Sequence, residues 1–174
     1  MPVSIIILIG LALVFDFLNG VHDSSNVVAT MISSRAIQPR MALFMTAIAN
    51  FLGPFIFGVA VATTIGNDIV SAAHINLMVL IAACISAIFW NVLTWILGIP
   101  SSSSHAIIGG LIGAVFMEAG FKVIMFEGIV KVLIALFASP IIGFLVGILI
   151  ANLVYFFSWN ASPKINGVFK KLQI

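Results

Sequence analysis

Apolar runs dominate this chain and leave few folds open to it. Residues 3–18 are hydrophobic apart from Ser4 and Asp16, and residues 41–64, 75–97 and 132–157 form three longer blocks. A helix needs about 20 apolar residues to cross a bilayer. Inside hydrocarbon only helices and closed barrels satisfy all their backbone groups, and continuous runs of this length read as helices. Only 7% of the 174 residues are charged, against about 25% in a soluble domain. The charges also cluster, as loops between spans would require: Arg35 with Arg40, then Glu118, Lys122, Glu127 and Lys131, then Lys164, Lys170 and Lys171. The expectation is an all-α polytopic membrane protein with about five membrane elements, residues 1–161 forming the membrane domain and 162–174 a basic tail.

A formal net charge of +2, spread over loops, gives no sign of a nucleic-acid partner. The single cysteine, Cys84, excludes an intrachain disulfide and lies in an apolar run. No Lys or Arg precedes the first apolar run, which argues against a signal-peptide core. If residues 106–120 cross the membrane, five basic residues (Arg35, Arg40, Lys164, Lys170, Lys171) share one side against Lys122 and Lys131 on the other. The positive-inside rule makes the richer side cytoplasmic and puts the N-terminus outside. If that segment dips and returns, the split becomes four against three.

Two polar stretches interrupt the apolar blocks. The first is Asn19-Gly20-Val21-His22-Asp23-Ser24-Ser25-Asn26. It predicts a discontinuous first helix with its break at residues 19–23. An unbroken helix would instead place Asp16 and Asp23, seven residues apart, on one face. The second is Gly98-Ile99-Pro100 followed by Ser101, Ser102, Ser103, Ser104 and His105. Gly98 and Pro100 end one helix, and the apolar run 106–117 that follows is only 12 residues long. Such a run suits one arm of a re-entrant hairpin over 98–120, or a half-helix. Gly109, Gly110 and Gly113 would let it pack closely against a neighbour.

A serine run opening a helix offers free backbone N–H groups and the positive end of the helix dipole, which suits an anion. Asp23 and nearby oxygens suit a small hard cation. Broken helices facing an anion beside oxygens facing a coupling ion recur in secondary transporters. The plainer alternative is that Asp23 or Ser24 caps a helix and that Ser101–Ser104 form an exposed loop. An Asp inside the membrane favours function, because burying it there is costly. His105 reads either as a packing residue or as a ligand, Asp68 and His74 as loop residues, and Asn50, Asn91 and Asn152 as helix–helix hydrogen bonders. An enzyme is not indicated. The GxSxG elbow, the HExxH metal motif and the GxxxxGK[ST] phosphate loop are all absent.

The run Asp16-Phe17-Leu18-Asn19-Gly20-Val21-His22-Asp23-Ser24-Ser25-Asn26, continuing through Thr30, resembles the first signature of the inorganic phosphate transporter (PiT) family. Pro100–Ala106 resembles its second signature, with Ser103 and Ser104 where threonines are usual. The bacterial low-affinity type is the nearest likeness. The resemblance implies an ion-coupled phosphate symporter of the bacterial inner membrane, driven by protons or sodium and needing no other cofactor. It implies two inverted repeats with phosphate held between them. It assigns Asp23 and Asn26 to phosphate and the coupling cation, Ser102, Ser103 and Ser104 to phosphate, and His22, His105 and Thr30 to support. Each signature occurs once here, so the chain matches the N-terminal half of the family and would supply half a site. It would be a truncated product, a fragment or one half of a split transporter, with a second repeat or another subunit as its partner. The competing expectations are a non-transporting membrane module and a symporter of another small anion.

Overall fold

The computed structural model describes residues 2–35, 37–58 and 68–159, and the basic tail lies outside them. Among the described residues five α-helices follow one another: α1 (Val3–Ser33), α2 (Pro39–Phe57), α3 (Leu77–Leu97), α4 (Ser103–Ala119) and α5 (Phe126–Ser158). Single 3-10 turns at Ala72–His74 and Phe121–Val123 sit in the connections. All but α4 are long and apolar enough to cross a membrane. The all-helical, polytopic expectation holds.

The expected break in the first helix is overturned: α1 runs unbroken through Asn19–Asn26 for 31 residues. No proline removes a donor from its ladder. Gly20 alone costs only about 1 kcal/mol relative to Ala. The hydroxyls that looked like turn formers are absorbed by the helix, since Ser25 Oγ donates to the His22 carbonyl at 2.8 Å and Ser24 Oγ to that of Val21 at 3.4 Å. The unbroken helix therefore brings Asp16, Asn19, Asp23 and Asn26 within about 80° of arc on one face.

The centre of the fold is an antiparallel hairpin of α3 and α4. Asn76 starts α3 as its N-cap, accepting the Val79 N–H at 2.9 Å. Gly98, at φ 65°, ends it, and Pro100 forbids continuation. After the turn, α4 includes Ser103–His105 and reaches Ala119, so the expected 12-residue apolar arm is a 17-residue helix, about 25 Å long. Three contacts in reverse order fix the antiparallel register. Ser101 meets Trp90 (2.9 Å), Gly110 meets Ala83, and Glu118 accepts from Asn76 (3.1 Å). A Cβ on Gly110 would lie 2.7 Å from the Ala83 carbonyl oxygen, so this crossing requires glycine.

The face Val79, Ala83, Ala87, Asn91, Thr94 of α3 is buried, and α1 packs on α3 while α2 packs on α1. Ile69 and Val70 close one end of the core against Leu111 and Val115. There the segment around Val70 pairs with Ile124 as a short antiparallel bridge, with Met125 N–H donating to the Ile69 carbonyl at 2.9 Å. Gly128 in the first turn of α5 lies against the Asp68 backbone, and Lys131 pairs with Asp68 at 3.1 Å. Gly128 is the one buried residue of α5.

Candidate functional site

The two polar signatures meet. Ser103, only 1% exposed, opens α4 and sits against the middle of α1. Its hydroxyl donates to Asn19 Oδ1, and Asp23 Oδ2 lies 3.5 Å away. The Gly98–Ser102 turn produces this meeting by reversing the chain so that α4 begins beside α1. No side chain caps the first turn of α4, so its leading N–H groups and the positive end of its dipole remain available next to a carboxylate.

Asn19 and Asp23, which Ser103 meets, line one cavity, and its neighbour Ser102 lines another. One, of about 700 Å³, lies between α1 and α2 and is lined by Asp16, Asn19, Asp23, Asn26, Asn50 and Phe51 among others. The other, of about 630 Å³, lies along α3 and α4 and is lined by Ser86, Trp90, Ser101, Ser102, His105 and Gly109 among others. Of the residues singled out from sequence, Asp23 and Asn26 thus share one wall with each other, while Ser102 and His105 share another. Ser104 and Thr30 are exposed and line neither. His22 is half-buried, and its Nε2 is enclosed without a hydrogen-bond partner.

Asp16, Asn19 and Asn50 line the first cavity but were not among the predicted site residues. For Asp16 the signal was the seven-residue spacing to Asp23, which counts only if the helix is continuous. Asn91, expected to hydrogen-bond between helices, is fully buried with neither amide atom partnered in the described structure. Its register puts it level with Ser103. Among the described residues no three His, Cys, Asp or Glu side chains converge on a metal position. Neither Lys nor Arg lines either cavity, so any anion held here relies on N–H and O–H donors and a co-bound positive charge.

An uncapped helix start joined to acidic and amide side chains, within helices of membrane length, belongs to an integral membrane protein with a polar junction between its helices. The chain belongs to the phosphate transporter family PHO4, whose profile matches residues 19–173. It is 42% identical over 167 residues to a probable low-affinity inorganic phosphate transporter of Rhizobium meliloti, covering 95% of this chain and 50% of that protein. It is also 42% identical over 172 residues to the corresponding Bacillus subtilis protein, covering 97% and 51%. A solved structure named as the sodium-dependent phosphate transporter superposes with a TM-score of 0.79 at 28% identity, covering 90% of this chain and 40% of that one. The chain therefore spans about half the length of these relatives. They are named as transporters, in agreement with a sequence that carries no enzyme motif.

Proposed function

We propose that this chain is one half of an ion-coupled inorganic phosphate symporter of the cell membrane, in a bacterium its inner membrane, with Arg35 and Arg40 on the cytoplasmic side. The observation that carries the reading is the Ser103 junction, which joins the N-terminus of α4 to Asn19 and Asp23. Phosphate would take hydrogen bonds from the leading N–H groups of α4 and from Ser102 and Ser103, with Ser104 at the rim and His105 and His22 in support. Asp23 and Asn26 would hold the coupling cation beside it, and Thr30, one turn further along α1, would lie at the edge of that position. The attraction between cation and phosphate would then make each bind better in the other's presence, which is the thermodynamic basis of symport.

Likeness to a transporter named as sodium-dependent favours sodium over protons as the coupling ion. The names of the relatives favour phosphate over other small anions. The half-length match favours a chain that needs a second repeat, and a module that does not transport alone is the reading to set against it. Uptake of labelled phosphate by the chain co-expressed with the second half of the Bacillus subtilis relative, in a host lacking its own phosphate transporters, tests the proposal. Asp23→Asn is expected to abolish uptake while leaving membrane insertion intact. Unchanged uptake would leave Asp23 a structural residue. Competition by unlabelled sulfate as effective as that by phosphate would overturn the choice of substrate.

A further inference from the structure

We propose that Trp90 is a positioning residue for the anion: its indole N–H holds the Ser101 hydroxyl as a donor into the cavity along α3 and α4, which makes Ser101 a further phosphate ligand. The proposal rests on the function proposed above and adds two residues to which that reading gives no part.

The direction of one hydrogen bond carries the inference. Trp90 Nε1 donates to Ser101 Oγ at 2.9 Å, across 11 residues and the hairpin turn. A serine hydroxyl has one proton and two lone pairs. Accepting from the indole occupies a lone pair and leaves the proton to be given elsewhere. Among the described residues Ser101 gives it to no group. The serines of α1 behave differently. Ser24, Ser25, Ser33 and Ser34 each donate to a carbonyl three residues back, so their protons are already engaged by their own helix.

Trp90 and Ser101 line the same cavity of about 630 Å³ as Ser102 and His105. Ser101 immediately precedes Ser102, the N-cap residue of α4, and no side chain caps the first turn of that helix. The Ser101 proton and the leading N–H groups of α4 therefore belong to one helix end, and an anion there can take both. A donor already held in place need not be ordered when the ligand binds, and a hydrogen bond to an anion is about twice as strong as a neutral one.

Trp95, on the same helix, is 61% exposed and gives its N–H to no described residue, as a residue of a lipid-facing belt would. Trp90 is 50% exposed, yet its N–H turns back to the hairpin tip, where pairing removes the cost of facing it to hydrocarbon. The same bond latches the tip, and a latch alone would alter stability without altering affinity.

Phosphate uptake by the chain co-expressed with the second half of the Bacillus subtilis relative separates the two roles. Trp90→Phe, which keeps an aromatic ring and removes the N–H, is expected to raise the phosphate KM about tenfold, and Ser101→Ala to do the same. Because Trp90 acts through Ser101, the double variant should be no worse than Ser101→Ala. Ser101→Thr, which keeps the hydroxyl, should hold KM within about twofold of wild type. Ser101→Ala removes one oxygen at a half-buried turn, so it is expected to insert even where Trp90→Phe does not, and the contrast of Ala with Thr then decides. An unchanged KM in Trp90→Phe, whatever its unfolding temperature in detergent, leaves Trp90 a latch and overturns the proposal. So does a rise of about a hundredfold in the double variant, since additive losses mean separate actions. Background uptake by the wild-type pair overturns the phosphate reading and this proposal with it. Normal uptake with an unchanged KM in Ser101→Ala overturns this proposal alone.

Discussion

Ser103 has one hydroxyl proton and two acceptors, Asn19 Oδ1 and Asp23 Oδ2. It is almost fully buried, so water cannot replace it. Ser103→Ala would leave an amide oxygen and a carboxylate facing a methyl group, at a cost of about 1–3 kcal/mol. The expected result is a lower unfolding temperature in detergent together with loss of the phosphate uptake seen on co-expression with a relative's second half, while Ser103→Thr, which keeps the hydroxyl, retains most of both. Equal uptake by the Ala and Thr variants would remove Ser103 from the site. In the sequence, Ser102, Ser103 and Ser104 fall together because hydroxyls at a helix start look alike. Which one meets Asp23 depends on the turn from Gly98 to Ser102, and no residue pattern encodes that angle. Asn91 shows the opposite failure. Its residue type predicts a hydrogen bond, yet it is enclosed at the level of Ser103 with no partner among the described residues.

Among the helices, α4 was legible in kind and α1 was not. Pro100 and the serine run marked the start of α4 because proline and hydroxyl residues act locally at helix boundaries. The same hydroxyl logic misled in α1. There the serines bond back to carbonyls three residues earlier, and the ladder survives. The result bears directly on the site, since only an unbroken α1 aligns Asp16 with Asp23. Packing within the α3–α4 hairpin depends on adjacent glycines with opposite surroundings. A Cβ on Gly109 meets nothing within 4 Å, whereas one on Gly110 would press on the Ala83 carbonyl and on Ser86 Cβ. Gly110→Ala is therefore expected to part the hairpin at a cost of about 1–3 kcal/mol. Gly109→Ala should be neutral or stabilising, because Gly inside a helix costs about 0.5–1 kcal/mol relative to Ala. Denaturation of the two variants in matched detergent separates them, and equal stabilities would mean that the helices are not in this close contact.

Across the whole chain, the site faces a side that the described helices do not close. Asp16 and Asn26 are exposed, Phe51 beside them is 71% exposed, and α5 is held mainly at its first turn by Gly128 and Lys131. A helix of 33 residues, about 50 Å long, with one buried residue has its apolar length free for lipid or for another protein element. Phosphate has four oxygens arranged tetrahedrally, and one helix N-terminus with one carboxylate-bound cation can engage them from one side only. An ion left half in the bilayer would carry a desolvation cost that these contacts do not offset. The relatives, about twice as long, contain chain enough for a second wall. Expressed alone in a transport-deficient host, the chain is expected to insert and give background phosphate uptake. Co-expression with the second half of the Bacillus subtilis relative should raise uptake well above either half alone, and Asp23→Asn should return it to background. Full uptake by the isolated chain would show that it closes its own site, by pairing of copies or otherwise, and would overturn the half-site reading.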